Sequence, residues 1–503
     1  MRTTKKISNF VVALILVALV SSLALGQGTP QAGTRPSTKG AVVKGKAPVN
    51  KNVLKVKLPR AEEASLPNGL RVILLRNPKV PTFNMQMVVL SGGLSDKPDF
   101  RGLSGFTATL LREGTAKRSS KDISEQIDSL GATLNASSGL SSMISTVTTA
   151  GLVENFDQTL DLFADVIRNP TFPEAEVNRY KARVLPQLQN QRSSPQFLAL
   201  EGFNKAIYGS GHPASLASPP TESIKKVTTK DLAAFHSTYY RPNNAILAIV
   251  GAVTLKDVMP KLEKAFGDWQ KADVPATTIP SVPEQSAARI TLIDRPGSVQ
   301  TVLRLGTLGI ERTSPDYFPL LLADGVLGAG PQARLFLNLR EDKGYTYGAY
   351  SSFGGTRFRG TWVSNAEVRT EVTEGAMKEF MYELNRLRDT PVPAEELENA
   401  KRSIIGGFAL SLEQPQTLLQ NIITQKLYNL PADYWDTYPQ KVAAVTAEDV
   451  QRVAKKYLDM GHLQVVAVAD ATKARDVLSK YGKVEVYDAD GKPVGGSGDP
   501  SNK

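Results

Sequence analysis

The sequence predicts an α+β chain of two tandem, similar domains, each an antiparallel-rich sheet packed with helices. Three observations carry this. Strand-like and helix-like segments are mixed, without the regular alternation of a doubly wound parallel sheet. Two motifs recur at nearly one offset: Val227-Thr-Thr-Lys-Asp-Leu, leading to Tyr239, returns as Val445-Thr-Ala-Glu-Asp-Val, leading to Tyr457, and Pro173-Glu-Ala-Glu-Val returns as Pro393-Ala-Glu-Glu-Leu. Thr-x-x-Asp is a common helix-capping pattern, so it is the shared offset that argues for duplication. Finally, KADVPATTIPSVPEQS has the proline content of a linker. The implied organisation is a leader over 1–26, a basic arm over 27–60, a first domain over 61–270, a linker over 271–288, a second domain over 289–486 and a tail over 487–503. Arm and tail are expected to be disordered.

The leader MRTTKKISNFVVALILVALVSSLALGQ has a basic start, an apolar run from Phe10 to Val20 and a small-residue site before Gln27, the pattern of a cleavable secretory signal. The apolar run is shorter than the ~20 residues that span a bilayer. The chain contains no cysteine, so neither lipidation nor a disulfide framework is available. Export, most simply to a periplasm, is the expectation. In the body, EEASLPNGLRVILL reads as a hairpin with a type I′ turn at Asn68-Gly69. Phe83, Met85 and Met87 alternate as in a strand. Leu103, Phe106, Leu110 and Leu111 share one helical face, and Ile123, Ile127 and Leu130 share another before Gly131. ATLNASSG and MISTVTTAG read as strands and NFDQTLDLFADVI as a helix.

The formal charge of +11 would invite a nucleic-acid reading, but residues 1–60 hold eleven Lys and Arg and no acidic residue, which leaves the rest with 49 of each sign. A neutral body lacks the net basic character of a nucleic-acid-binding domain. The arm suits weak contact with an anionic surface such as lipid head groups, and its composition describes a solvated linker as well. His212, His236 and His462 are isolated from one another, which favours structural or solvated roles over metal ligation.

Two stretches carry the chemistry. GLSGFTATLLREGT, Gly102 to Thr115, resembles the context G-x-x-H-F-x-E-H-x-x-x-x-G-T of the pitrilysin/insulinase family of zinc peptidases, the inverzincins, whose mark is H-x-x-E-H on a helix. The resemblance covers roughly residues 60 to 485. It implies two histidine ligands on one helical face and a glutamate base beside them. At those positions this chain has Gly105, Ala108 and Thr109, and the family's later glutamate ligand falls on Gln187, its supporting glutamate on Tyr180. No catalytic residue is intact, and no metal or other cofactor is expected in this chain.

The second stretch, LGAGPQARLFLNLREDKGYTYG, is similar to the family's L-G-G-G-x-x-S-R-L-x-x-x-L-R-E-x-x-G-L-A-Y, whose arginine and tyrosine hold substrate and tetrahedral intermediate across a closed chamber. The matching residues are Arg340 and Tyr347, both donors suited to a peptide carbonyl or a developing oxyanion. Read without the resemblance, Arg340 complements a helix dipole, and Tyr345 and Tyr347 alternate as in any half-buried strand. Asn135 and Ala136 match positions on the family's substrate-pairing edge strand. The resemblance implies half of a clamshell chamber and a non-catalytic, substrate-binding subunit. Zinc would sit in a homologous partner subunit with an intact motif, and the substrate would be an extended peptide. A peptide-binding or scaffold protein with no part in hydrolysis is the alternative.

Overall fold

The protein is described from a computed structural model, which covers residues 52–494. The leader, most of the basic arm and the end of the tail lie outside the described residues. Two six-stranded sheets organise the rest. The first runs β1-β2-β6-β3-β5-β4, from β1 (Glu62–Ser65), β2 (Arg71–Arg76), β3 (Thr82–Val89), β4 (Thr133–Ser138), β5 (Ser145–Leu152) and β6 (Ala245–Gly251). The second runs β12-β7-β11-β8-β10-β9, from β7 (Arg289–Asp294), β8 (Gln300–Leu308), β9 (Thr346–Phe353), β10 (Thr361–Arg369), β11 (Gln464–Ala469) and β12 (Val484–Tyr487).

Five strands correspond one to one between the sheets. The sixth differs: β1 precedes its neighbour β2 and pairs antiparallel, whereas β12 closes the chain and pairs parallel with β7. The other parallel pairs, β2–β6 and β7–β11, occupy equivalent places. The repeated helix starts are equivalent in detail. Thr228 and Thr446 each close a capping box, with Asp231 and Asp449 three residues on.

The β1–β2 hairpin departs from the expected type I′ turn. Pro67, Asn68 and Gly69 form a three-residue connection in which Leu66 and Leu70 still pair, and Gly69 alone has φ of +92°. Pro67 fixes its own φ near −65°, which suits a type I turn closed by a left-handed glycine. Residues 53–60, read from sequence as part of the arm, lie against the second half. Leu58 N–H donates to Asp436 Oδ1 (2.9 Å) and the Arg60 guanidinium pairs with Asp436 (2.5 Å).

Each sheet buries one face on helices of its own half. Val72, Leu74, Phe83, Leu247 and Ile249 pack on helices that include Leu103–Leu110, Phe156–Arg168 and Leu255–Phe266. Leu292, Leu303, Leu305 and Ala467 do the same in the second half. The opposite faces are covered by exchange. The helix Pro195–Tyr208, from the first half, lays Leu198, Ala199, Phe203 and Ile207 on Ile293, Val302, Val466 and Val468. The helix Pro415–Leu427, from the second half, lays Leu418, Leu419 and Ile423 on Ile73, Leu75, Ile246 and Val250. This reciprocity is why β6 and β11 are buried at every residue and read as unbroken apolar runs although their sheets are largely antiparallel. Gly202 permits the close approach, since a Cβ there would stand 3.0 Å from Ile293 Cδ1 and 3.1 Å from Val466 Cγ1.

Candidate functional site

The first group of predicted residues gathers where the helix Leu103–Leu110 meets β4. Asp96 caps this helix from outside, accepting from Gly102 N (2.8 Å), Ser104 N (2.9 Å) and Ser104 Oγ (3.2 Å). Burial pushes the Asp96 carboxyl up to about 6, against the pull of those hydrogen bonds. Gly102 has φ of +97°, and a Cβ on it would stand 2.7 Å from Pro219 Cβ. Gly114 has φ of +148° against Pro173, Phe106 is fully buried, and Thr115 Oγ1 donates to Asp165 Oδ2 (2.7 Å). The four frame residues retained from the peptidase motif are therefore the ones backbone geometry and packing demand.

The chemical positions between them are occupied otherwise. Gly105 carries no side chain, and a Cβ there would lie 3.0 Å from the Ser138 carbonyl oxygen on β4. Ala108 is fully buried, and the Thr109 hydroxyl is spent on the Gly105 carbonyl one turn back (2.9 Å). On the helix Glu174–Gln191, which continues through Pro186, Gln187 is exposed. Tyr180, in place of the supporting glutamate, sets its ring 4.4 Å from that of Phe106. A methyl, a back-bonded hydroxyl, a neutral amide and an aromatic pair do not make a zinc site. No group of three or more His, Cys, Asp or Glu able to hold a metal occurs among the described residues. Asn135 and Ala136 lie on β4, the outer strand of its sheet, with Asn135 exposed.

Arg340 and Tyr347 sit in the second half on consecutive elements. A helical turn, Arg334–Phe336, anchored by a two-pronged pairing of Arg334 with Glu396 (2.7 and 2.8 Å), runs into a π-helical stretch, Leu337–Asp342. The expected ordinary helix is thus widened where Arg340 sits, a feature frequent at functional sites. The Arg340 guanidinium lies 4.6 Å from the centre of the Phe336 ring, which also meets the ring of Tyr350. Gly344, with φ of +63°, turns the chain into β9, and its N–H closes on the Arg340 carbonyl (3.1 Å).

Tyr347 does not follow strand alternation. Ala349 and Ser351 point into the core, and strict alternation would put Tyr347 with them, yet it is 93% exposed. A β-bulge is the cause. Ala366 stands opposite Ala349 but Val368 opposite Thr346, so Tyr347 and Gly348 together face Glu367. Thr346 Oγ1 satisfies the bulge, accepting from Gly348 N (3.1 Å) and lying 2.6 Å from the Glu367 carbonyl oxygen. No hydrogen bond joins Arg340 to Tyr347 among the described residues; both are exposed, and Arg340 Nε lies 3.6 Å from Glu341 Oε1. The bulge, Thr346 and Phe336 went unread in the sequence, although a lone glycine inside a strand pattern, here Gly348, signals a bulge.

A duplicated α+β chain with the frame of a metal-site helix and none of the zinc ligands on that helix defines a class, a zinc-peptidase-like fold. Family models match both halves. Residues 71–219 match the model described as insulinase (peptidase family M16), and residues 226–404 match the model described as peptidase M16 inactive domain. The chain belongs to the insulinase family, peptidase family M16. It is 26% identical over 395 residues to an uncharacterised zinc protease of Bacillus subtilis (strain 168), YmxG, covering 77% of this chain and 93% of that one. It is 25% identical over 421 residues to the beta subunit of the mitochondrial-processing peptidase of Rattus norvegicus, covering 80% and 83%. Among solved structures, the peptidase M16 inactive domain from Pseudomonas fluorescens superposes with a TM-score of 0.75 at 28% identity, over 81% of this chain and 98% of that one. A protease from Helicobacter pylori shares the fold with a TM-score of 0.75 at 23% identity, over 82% and 100%.

Proposed function

We propose that this chain is the non-catalytic, substrate-binding subunit of an exported heterodimeric zinc metalloendopeptidase that acts on peptides or unfolded protein segments. The observation that carries the reading is the contrast between the two halves. The ligand positions of the metal helix are filled by groups that cannot hold zinc, while Tyr347 is held out to solvent by a bulge, one turn of chain from Arg340. A tyrosine kept 93% exposed on a strand gains nothing for the core, so its placement favours a role toward another molecule. A relative named as one subunit of a peptidase adds support.

In the assembled enzyme, Arg340 and Tyr347 would present a guanidinium and a phenol to the substrate carbonyl held at the partner's zinc. Both are donors aimed where negative charge develops, so they stabilise the transition state more than the ground state. Asn135 and Ala136, on the outer strand β4, would pair main chain to main chain with an extended substrate. The half-chamber would face its counterpart, and the leader would direct export.

The test is peptide cleavage by this chain alone, by a homologous chain carrying H-x-x-E-H alone, and by their mixture. The reading expects activity chiefly in the mixture. No gain on mixing, with a stable complex still formed, would leave the scaffold reading in its place.

A further inference from the structure

Between the start of the helix Pro195–Tyr208 and the exposed side of β8, β10 and β9 lies a cleft of 470 Å³. Its floor is Arg304, Gln300, Asn365, Tyr350 and Tyr347, and Arg304, Asn365 and Tyr350 stand in one cross-strand row. Arg304 is half-buried, and among the described residues no hydrogen-bond acceptor, carboxylate or ring partners its guanidinium. The one carboxylate in the cleft, Glu367, accepts instead from Gln196 Nε2 (2.6 Å). The side-chain polar ends of Gln300, Asn365, Tyr347 and Tyr350 also have no protein partner there. A cationic fork with unmet donors, ringed by amides and phenols, is built to receive a planar anion.

We infer that this cleft is a carboxylate-recognition subsite in which Arg304 binds a free chain terminus or an acidic side chain of the peptide that Tyr347 contacts. The inference rests on the peptide-binding reading above and names the substrate feature that reading leaves open. Burial without a compensating charge also holds the Arg304 guanidinium below its usual range, and a bound carboxylate would relieve that cost.

The test is calorimetric titration of the full chain with three unlabelled peptides built of Ala, Gln, Ser and Val. The first is amidated and uncharged at its C-terminus, the second has a free C-terminal carboxylate, and the third is amidated with one internal Glu. The expected result is that the second or the third binds roughly 10- to 100-fold tighter than the first, the scale of one charge-assisted hydrogen-bonded pair. Which of the two gains identifies the source of the carboxylate. Arg304→Gln should erase the preference between the peptides, and Arg304→Lys should restore only part of it. Equal binding of all three by the wild-type chain overturns the subsite while leaving peptide binding intact. That comparison needs no variant to fold. Persistence of the preference in a folded Arg304→Gln chain overturns the assignment to Arg304. Failure of all three to bind overturns the peptide-binding reading, and this inference with it.

Discussion

Thr346 decides where Tyr347 points. Its hydroxyl is the acceptor for the Gly348 N–H, which the bulge removes from the ladder. Thr346→Val keeps the shape and deletes that partner, so the chain should lose about 1–3 kcal/mol, read by chemical denaturation. The stimulated activity of the mixture should fall with it, as it would for Tyr347→Phe. Deeper in the same half, Asp324 ties its helix, Tyr317–Leu327, to β9 through Ser351 Oγ (2.6 Å) and to β10 through Trp362 Nε1 (2.9 Å), both donating to Oδ1. Burial pushes its carboxyl up to about 6 from 3.8. The folded value lies above the unfolded one, so the stabilising contribution of the neutral acid is full below pH 3.8 and is lost as pH rises through about 6. Ionisation at neutral pH therefore costs about 3 kcal/mol. Asp324→Asn keeps an Oδ1 for both donors. Its melting temperature relative to wild type should rise between pH 4 and pH 8; a constant difference would show that the carboxyl does not titrate in this range.

Legibility from sequence differed by element. The capping boxes at Thr228 and Thr446, the apolar face from Leu103 to Leu111 and the strands β3, β4 and β5 were readable because local periodicity and local hydrogen bonds set them. The metal-site frame was read from the family resemblance, and the structure gives it a physical basis in the positive φ of Gly102 and Gly114. The hairpin turn was misread because Asn68-Gly69 was weighed without Pro67. The π-helical stretch was not readable, and the bulge had only Gly348 as its signal, since each inserts a residue whose accommodation depends on packing with Phe336, Glu367 and the neighbouring strands. The exchanged helices Pro195–Tyr208 and Pro415–Leu427 were also hidden, because their partners lie in the other half of the chain. Truncating Phe203 or Ile423 to Ala should cost about 2–5 kcal/mol each, the range for large-to-small changes in a packed core. A cost near zero in denaturant titrations would mean that the exchange contributes little to stability.

At the scale of the molecule, the two halves are held by reciprocal burial on both sheets, with residues 271–288 running between them as a strand-free and helix-free segment that alternates exposed and half-buried residues. A single proteolytic cut there should leave both fragments eluting together under native conditions. Separation would contradict the account of how the halves are joined. The same construction explains how metal chemistry could be lost without loss of fold, since Gly105, Ala108, Thr109 and Gln187 carry none of the capping or turn constraints that fix Gly102, Gly114 and Thr115. On the function proposed above, the Arg340 and Tyr347 pair is the chemistry this chain would bring to another subunit's metal. The most direct measurement is therefore the turnover of a peptide by a zinc-motif partner mixed with wild-type chain or with Arg340→Ala. A donor acting in the transition state predicts a loss of roughly 100- to 1,000-fold in kcat, with complex formation unchanged. Equal kcat for the two mixtures, at matched complex formation, would contradict the claim that this chain completes its partner's active site.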